Sequence, residues 1–137
     1  MEHKLAHLEM IQGVINRMAG NSFLLKGWSV TLVSALFALA AAESNEMFAA
    51  LALLPALAFW ALDGYVLWQE RLFRALYDKV RVLEDSAVDF SMNTLAGKEE
   101  VESWPRIMLS KTLVIFHVTV IGAIAIVYYF TMQMESR

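Results

Sequence analysis

SFLLKGWSVTLVSALFALAAA, residues 22–42, decides the fold. This run holds a single charge, Lys26, near its start. A helix needs about 20 mostly apolar residues to cross about 30 Å of hydrocarbon. Two further runs meet that requirement. Met47–Trp68 holds one charge, Asp63, near its end, and Thr112–Met132 holds no fixed charge but contains His117. Backbone polar groups cannot go unpaired in lipid, so runs of this length read as helices. The first begins late and lacks a short apolar core followed by a cleavage site, which argues against a signal peptide.

Composition agrees. The 137 residues are 58% hydrophobic and 18% charged, against about 45–50% and about 25% in soluble domains. These proportions argue against a soluble enzyme and against disorder. The chain has no cysteine, so it offers no disulfide framework or thiolate site. A net charge of −3 makes no case for nucleic acid as the main partner. The expected fold class is all-α: one integral membrane domain, residues 1–137, with three transmembrane helices at 22–42, 47–68 and 112–132.

The connections predict the orientation. Glu43-Ser44-Asn45-Glu46 separates the first two runs and carries no Lys or Arg, whereas the segment between the second and third holds seven basic residues. Lys4 and Arg17 precede the first run, and only Arg137 follows the third. The positive-inside rule therefore places the N-terminus and the long connection in the cytoplasm and the C-terminus outside a bacterial inner membrane.

Residues 1–19 read as an amphipathic helix with Leu5, Leu8, Ile11, Ile15 and Met18 on one side. Gly20-Asn21-Ser22 reads as a stop and a new N-cap. The second helix is expected to continue as a cytoplasmic extension over 69–85, with Leu72, Phe73, Leu76, Val80 and Leu83 packed against the N-terminal helix. Residues 86–104 read as a loop, with a short helix beginning near Lys98, and the third helix as starting near Pro105.

An antiparallel pair centred between Ser44 and Asn45 sets Lys26 opposite Asp63, which predicts an interhelical ion pair. His117 falls at similar depth, with Trp28, Ser29, Trp60 and Tyr65 in the same layer. One reading is structural: the pair fixes helix register while His117 bonds a carbonyl or Trp28. The other makes Lys26, Asp63, His117, Trp28 and Ser29 an intramembrane polar layer or gate.

Small residues align as Gly27, Thr31, Ser34, Ala38 and Ala41 on the first span, and Ala49, Ala52 and Ala56 line up with Asp63 on the second. Such faces serve close helix packing within one subunit or between copies. Pro55 is expected to kink the second span by freeing the carbonyl of Leu51. The outer halves are almost wholly apolar, which disfavours a permanently open channel but allows a narrow gated one.

Arg71, Arg74, Lys79 and Arg81 are candidate contacts for lipid headgroups or an anionic signal, or simply the topology signal. Trp68, Trp104, Tyr128 and Tyr129 fit interfacial belts. His3 and His7 lie four apart, but without clustered carboxylates or cysteines no metal site is expected. No cofactor or catalytic motif is found, and no enzyme activity is expected.

MIQGVINRMAGNSFLLKGWSVTLVSALFALA (residues 10–40), LYDKVR (76–81) and DFSMNT (89–94) resemble a family of small bacterial three-span membrane proteins found beside TIR-like or nucleotide-signalling genes in anti-phage defence loci. The resemblance implies a homo-oligomeric effector that permeabilises the inner membrane when a cytoplasmic signalling partner senses phage. A tetramer is expected, with membrane lipids as surroundings. The alternative is a non-conducting anchor or adaptor that recruits a soluble partner through Leu72–Leu83 and the 86–103 loop.

Overall fold

In the computed structural model, which describes residues 1–137, 84% of the chain is helical and no strand forms. Three helical rods are long and apolar enough to cross a membrane: Glu2–Glu43, Glu46–Val80 and Lys111–Glu135.

The first is one unbroken helix, α1 (Glu2–Glu43). The expected stop at Gly20-Asn21-Ser22 does not occur. Glycine costs a helix only about 1 kcal/mol, and Ser22, read as a cap, has a different task described below. At about 1.5 Å per residue, α1 is about 63 Å long. It ends where Ser44 turns left-handed (φ 49°, ψ 42°) and the N–H of Asn45 reaches back to the carbonyl of Ala40 at 3.1 Å, the Schellman arrangement. The Asn45 side chain accepts from the N–H of Met47 at 2.9 Å and so caps the next helix.

That next rod is two pieces, α2 (Glu46–Leu51) and α3 (Leu53–Val80), interrupted at Ala52. Pro55 lies three residues on and donates no N–H, so the break falls where the sequence put the kink. The rod stops at Val80 rather than near Asp85. Val82 to Glu84 lead instead into a short 3-10 turn, Asp85–Ala87. A second 3-10 turn, Leu95–Glu100, begins three residues before Lys98. The third rod is also divided: α4 (Trp104–Met108), with Pro105 in its first turn, breaks at Leu109 before α5 (Lys111–Glu135).

Two apolar clusters hold the bundle. Ile11 and Ile15 of α1 bury against Leu76 and Val80 of α3, with Leu8, Phe73, Tyr77 and Met92 around them. Each such aliphatic side chain removed from water contributes about 1.5–3 kcal/mol. The N-terminal part of α1 therefore packs on the end of α3, although Leu5 and Leu83 stay exposed and His7 is buried in their place. At the opposite end, Val33, Ala52, Ala56 and Ile124 join all three rods.

The small faces part company. Ala49, Ala52 and Ala56 are buried inside the subunit. Gly27, Thr31, Ser34, Ala38 and Ala41 are exposed, and Gly13 and Gly20 extend the same open face toward the N-terminus. A Cβ built on Gly13, Gly20 or Gly27 meets nothing within 4 Å.

The connection between α3 and α5 is ordered by local polar chemistry. Asp89 Oδ1, Ser91 Oγ and Asn93 Oδ1 each accept the backbone N–H two residues on, at 2.9, 3.3 and 2.9 Å. The DFSMNT stretch is therefore a run of consecutive side-chain turns. Gly97 is pressed on α3, where an added Cβ would lie 3.0 Å from Ala75 Cβ. Lys79 Nζ donates to the carbonyl of Ala96.

Candidate functional site

The antiparallel α1–α3 pairing brings Lys26 to Asp63, and their Nζ···Oδ2 distance is 2.6 Å. α5 adds His117, whose Nε2 lies 2.8 Å from the same oxygen. An ionised carboxylate only accepts, so His117 donates from Nε2–H. Ser22, one turn before Lys26, donates its hydroxyl to Asp63 Oδ1 at 2.5 Å and accepts from Lys26 Nζ at 2.8 Å. Three side chains from α1 and α5 thus close on one carboxylate of α3.

Asp63 is fully buried and His117 is 1% exposed, while the Lys26 side chain retains 26%. Isolated, a buried carboxylate would be very costly. Here three donors saturate it, and one of them carries the balancing charge. Aromatic rings wall the site. Trp60 stacks on His117 with centroids 5.7 Å apart and planes 4° from parallel, and Phe116 meets the ring edge-on at 5.0 Å. Lys26 Nζ lies 5.8 Å from the Phe116 centroid, within cation–π reach.

The support behind this layer is a reciprocal brace. Trp60 Nε1 donates to the carbonyl of Met108 at 2.8 Å, and Trp104 Nε1 donates to the carbonyl of Ala61 at 3.1 Å. The break at Leu109 leaves the Met108 carbonyl without a backbone donor, and the indole supplies one. Close approach of α4 requires Gly64, since a Cβ there would collide with Met108 Cγ.

Of the residues singled out by sequence, Lys26, Asp63 and His117 meet as a set. Two assignments need correction. Trp28 faces away and is 58% exposed, because it sits on the opposite side of α1 from Lys26's inward neighbours. His117 bonds Asp63 rather than Trp28 or a carbonyl. Ser29 is fully buried, yet its hydroxyl has no partner. Ser22 and the stacking role of Trp60 escaped the sequence reading. The i, i+4 spacing of Ser22 and Lys26 was the available signal for the former.

The four basic residues of α3's far end and its exit do not converge on an anion site. Arg74 pairs with Glu70 at 2.7 Å, Lys79 with Glu100 at 3.4 Å and Arg81 with Asp78 at 3.2 Å, which leaves Arg71 alone without an ion-pair partner. His3 and His7 do not form a metal cluster. His3 Nδ1 lies 3.4 Å from Asp85, whereas His7 is buried and its Nε2 lies 2.9 Å from the carbonyl of Ser91.

Comparison with protein-family models, with curated proteins and with solved structures finds no match.

Proposed function

We propose that this chain is a subunit of a homo-oligomeric, gated pore in the bacterial inner membrane, with its N-terminus cytoplasmic and its C-terminus outside. The observation that carries the reading is the Ser22–Lys26–Asp63–His117 quartet. Ionisable groups at membrane depth are costly and mark ion paths or gates by default. This one ties together all three rods, so separating any rod from the others breaks it, and one local event is coupled to the whole bundle. Above it Val33, Ala52, Ala56 and Ile124 pack as a buried apolar cluster, and on this reading that apolar level is where a pore would close by dewetting.

Assembly is supported by the open face of α1. A bundle of three rods leaves Gly27, Thr31, Ser34, Ala38 and Ala41 uncovered, and small faces let backbones approach closely in lipid. A tetramer is our working assembly. The resemblance to proteins of anti-phage loci supports a role as an effector that permeabilises the membrane on a signal from a cytoplasmic partner. Reconstitution in planar bilayers tests the reading. Discrete conductance that changes in Asp63→Ala supports it, and silence under every voltage and candidate activator removes it.

The adaptor reading comes second because Leu76 and Val80, in the stripe meant to recruit a partner, already lie beneath the chain's own α1, and Leu72 is buried within the subunit. Co-purification of a stoichiometric soluble protein would restore it.

A further inference from the structure

Resting on the self-assembly in that reading, we propose that two copies pair through α1 itself, parallel and in register, along a seam that repeats every seven residues. Ala6, Gly13, Gly20, Gly27, Ser34 and Ala41 stand seven apart on α1, and all six are exposed. The seam runs about 52 Å, nearly the whole helix. Seven residues fall just short of two helical turns, so two such helices keep their seams in contact by winding left-handed around each other. The three glycines serve nothing inside the subunit. Gly64 makes room for Met108 and Gly97 is pressed on Ala75, whereas a Cβ at Gly13, Gly20 or Gly27 meets nothing within 4 Å. Glycine weakens a helix interior, yet α1 is unbroken through all three. What a glycine face gives in return is close approach of a second backbone.

Ser34 is an independent sign of a partner. Thr31 and Thr119 are also exposed within the apolar runs, and each turns its hydroxyl to the carbonyl four residues back, at 2.9 and 2.6 Å. The Ser34 hydroxyl bonds nothing in its own chain, although it stands two residues from the middle of the 22–42 run. A hydroxyl open to hydrocarbon lacks the partner that water would supply. Two copies inserted in the same sense carry Ser34 at the same depth. A hydroxyl both donates and accepts, so this residue complements itself.

Charge on the cytoplasmic stretch fits the same pairing. Glu9 and Arg17 stand four residues before and after Gly13, about 40° to either side of it. Both are exposed, and neither forms an ion pair within its subunit. A two-fold rotation lays the Arg17 flank of each helix along the Glu9 flank of the other, so opposite charges line one edge. A contact of this kind closes on two copies. The tetramer is then a pair of α1-linked dimers joined by another face.

The chain has no cysteine, so single cysteines report contact between copies against a clean background. Full-length Gly20→Cys, Gly27→Cys, Ser34→Cys, Leu32→Cys and Leu39→Cys are placed one at a time in phosphatidylethanolamine–phosphatidylglycerol vesicles and oxidised briefly with copper phenanthroline. Leu32 and Leu39 are exposed but lie on another side of α1. The expected result is covalent dimer at positions 20, 27 and 34 and little at 32 and 39. Ser34→Ala should weaken dimerisation about threefold, the worth of one interhelical hydrogen bond in lipid, as read by energy transfer between labelled copies. Equal yields at all five positions, or dimer at Leu32 and Leu39 alone, overturn the pairing. Linking of Thr31→Cys to Gly122→Cys in mixed samples, with none along the seam, moves the contact to α5 and overturns it too, while self-assembly stands. A monomer by mass in mild detergent and by oxidation at every position removes self-assembly and the pairing together.

Discussion

Lys4 donates its backbone N–H to Oδ1 of Asp85 at 3.0 Å, across 81 positions of sequence. α1 has no capping side chain of its own at its start, and the distant carboxylate takes that role. The Met1 ammonium lies 2.5 Å from the same oxygen, and Lys4 Nζ donates to the carbonyl of Leu83 at 3.2 Å. Asp85→Asn should therefore loosen the first turn of α1 and the 82–94 segment together. Faster hydrogen exchange at both places checks this.

The same contact has a pH signature. The ammonium of Met1 and the N–H of Lys4 hold the Asp85 carboxyl below the ordinary value of 3.8. A depressed acid stabilises the fold above its unfolded value and loses that contribution as the pH drops through its folded one. Anchoring of α1's first turn should thus be complete above pH 3.8 and fade below it. The fading should be absent in Asp85→Asn, as followed by exchange or proteolysis of the N-terminal turn.

At the quartet, Asp63→Ala leaves His117 without its acceptor and Lys26 with only the Ser22 hydroxyl. Removing one partner of a buried pair costs about 3–5 kcal/mol. The lower end is expected here, since the Lys26 side chain is partly exposed and can swing outward from the bundle. Lys26→Ala with Asp63→Ala should lose less than Asp63→Ala alone. Detergent melting measures this, and additive losses would argue against coupling.

Gly64→Leu should push α4 off α3, because even a Cβ there collides with Met108 Cγ. Gly64→Ala should cost about 1–3 kcal/mol by overpacking, and Met108→Ala should recover most of it. Failure of that rescue in melting experiments would place the crowding elsewhere.

Trp60→Phe keeps a ring to stack on His117 but removes the donor to the Met108 carbonyl. A carbonyl left unpaired away from water costs about 1–3 kcal/mol. Fluorescence of Trp104 should shift as its brace to Ala61 loosens, and an unchanged spectrum would show the two indole bonds to be independent.

Gly27→Leu should leave each subunit's fold intact, since nothing lies within 4 Å of an added Cβ. The same change should weaken self-assembly in a mild detergent by filling the open face of α1. A wild-type oligomer size in that variant would move the contact to another face.

Much of this architecture is legible in the chain itself. Three long apolar runs leave backbone groups no partner but the next turn of helix, so the rods follow from composition and length. The four-residue turn at 43–46 makes the first two antiparallel, and arithmetic about its centre brings Lys26 to Asp63. What periodicity could not reveal lies in side chains that act across elements. Ser22 resembles a cap by sequence and becomes a ligand of Asp63 instead. Trp28 and Trp60 are equally aromatic and share a depth, yet only Trp60 faces His117, because helix phase aims them apart.

The chain alone determined the number of rods, their direction and the Lys26–Asp63 opposition, because each follows from local hydrogen bonding or from turn length. The tertiary structure alone decided where the second rod stops, where the third one breaks and which partners close the carboxylate. Val80 and Leu109 end their helices within segments that read as continuous. Asp85, beyond the end of α3, caps the first turn of α1 by accepting from Lys4, 81 positions away, and His117 reaches Asp63 across 54 positions. Such choices depend on which unsatisfied donor or acceptor another element brings within hydrogen-bond distance, and spacing along a chain carries no record of that.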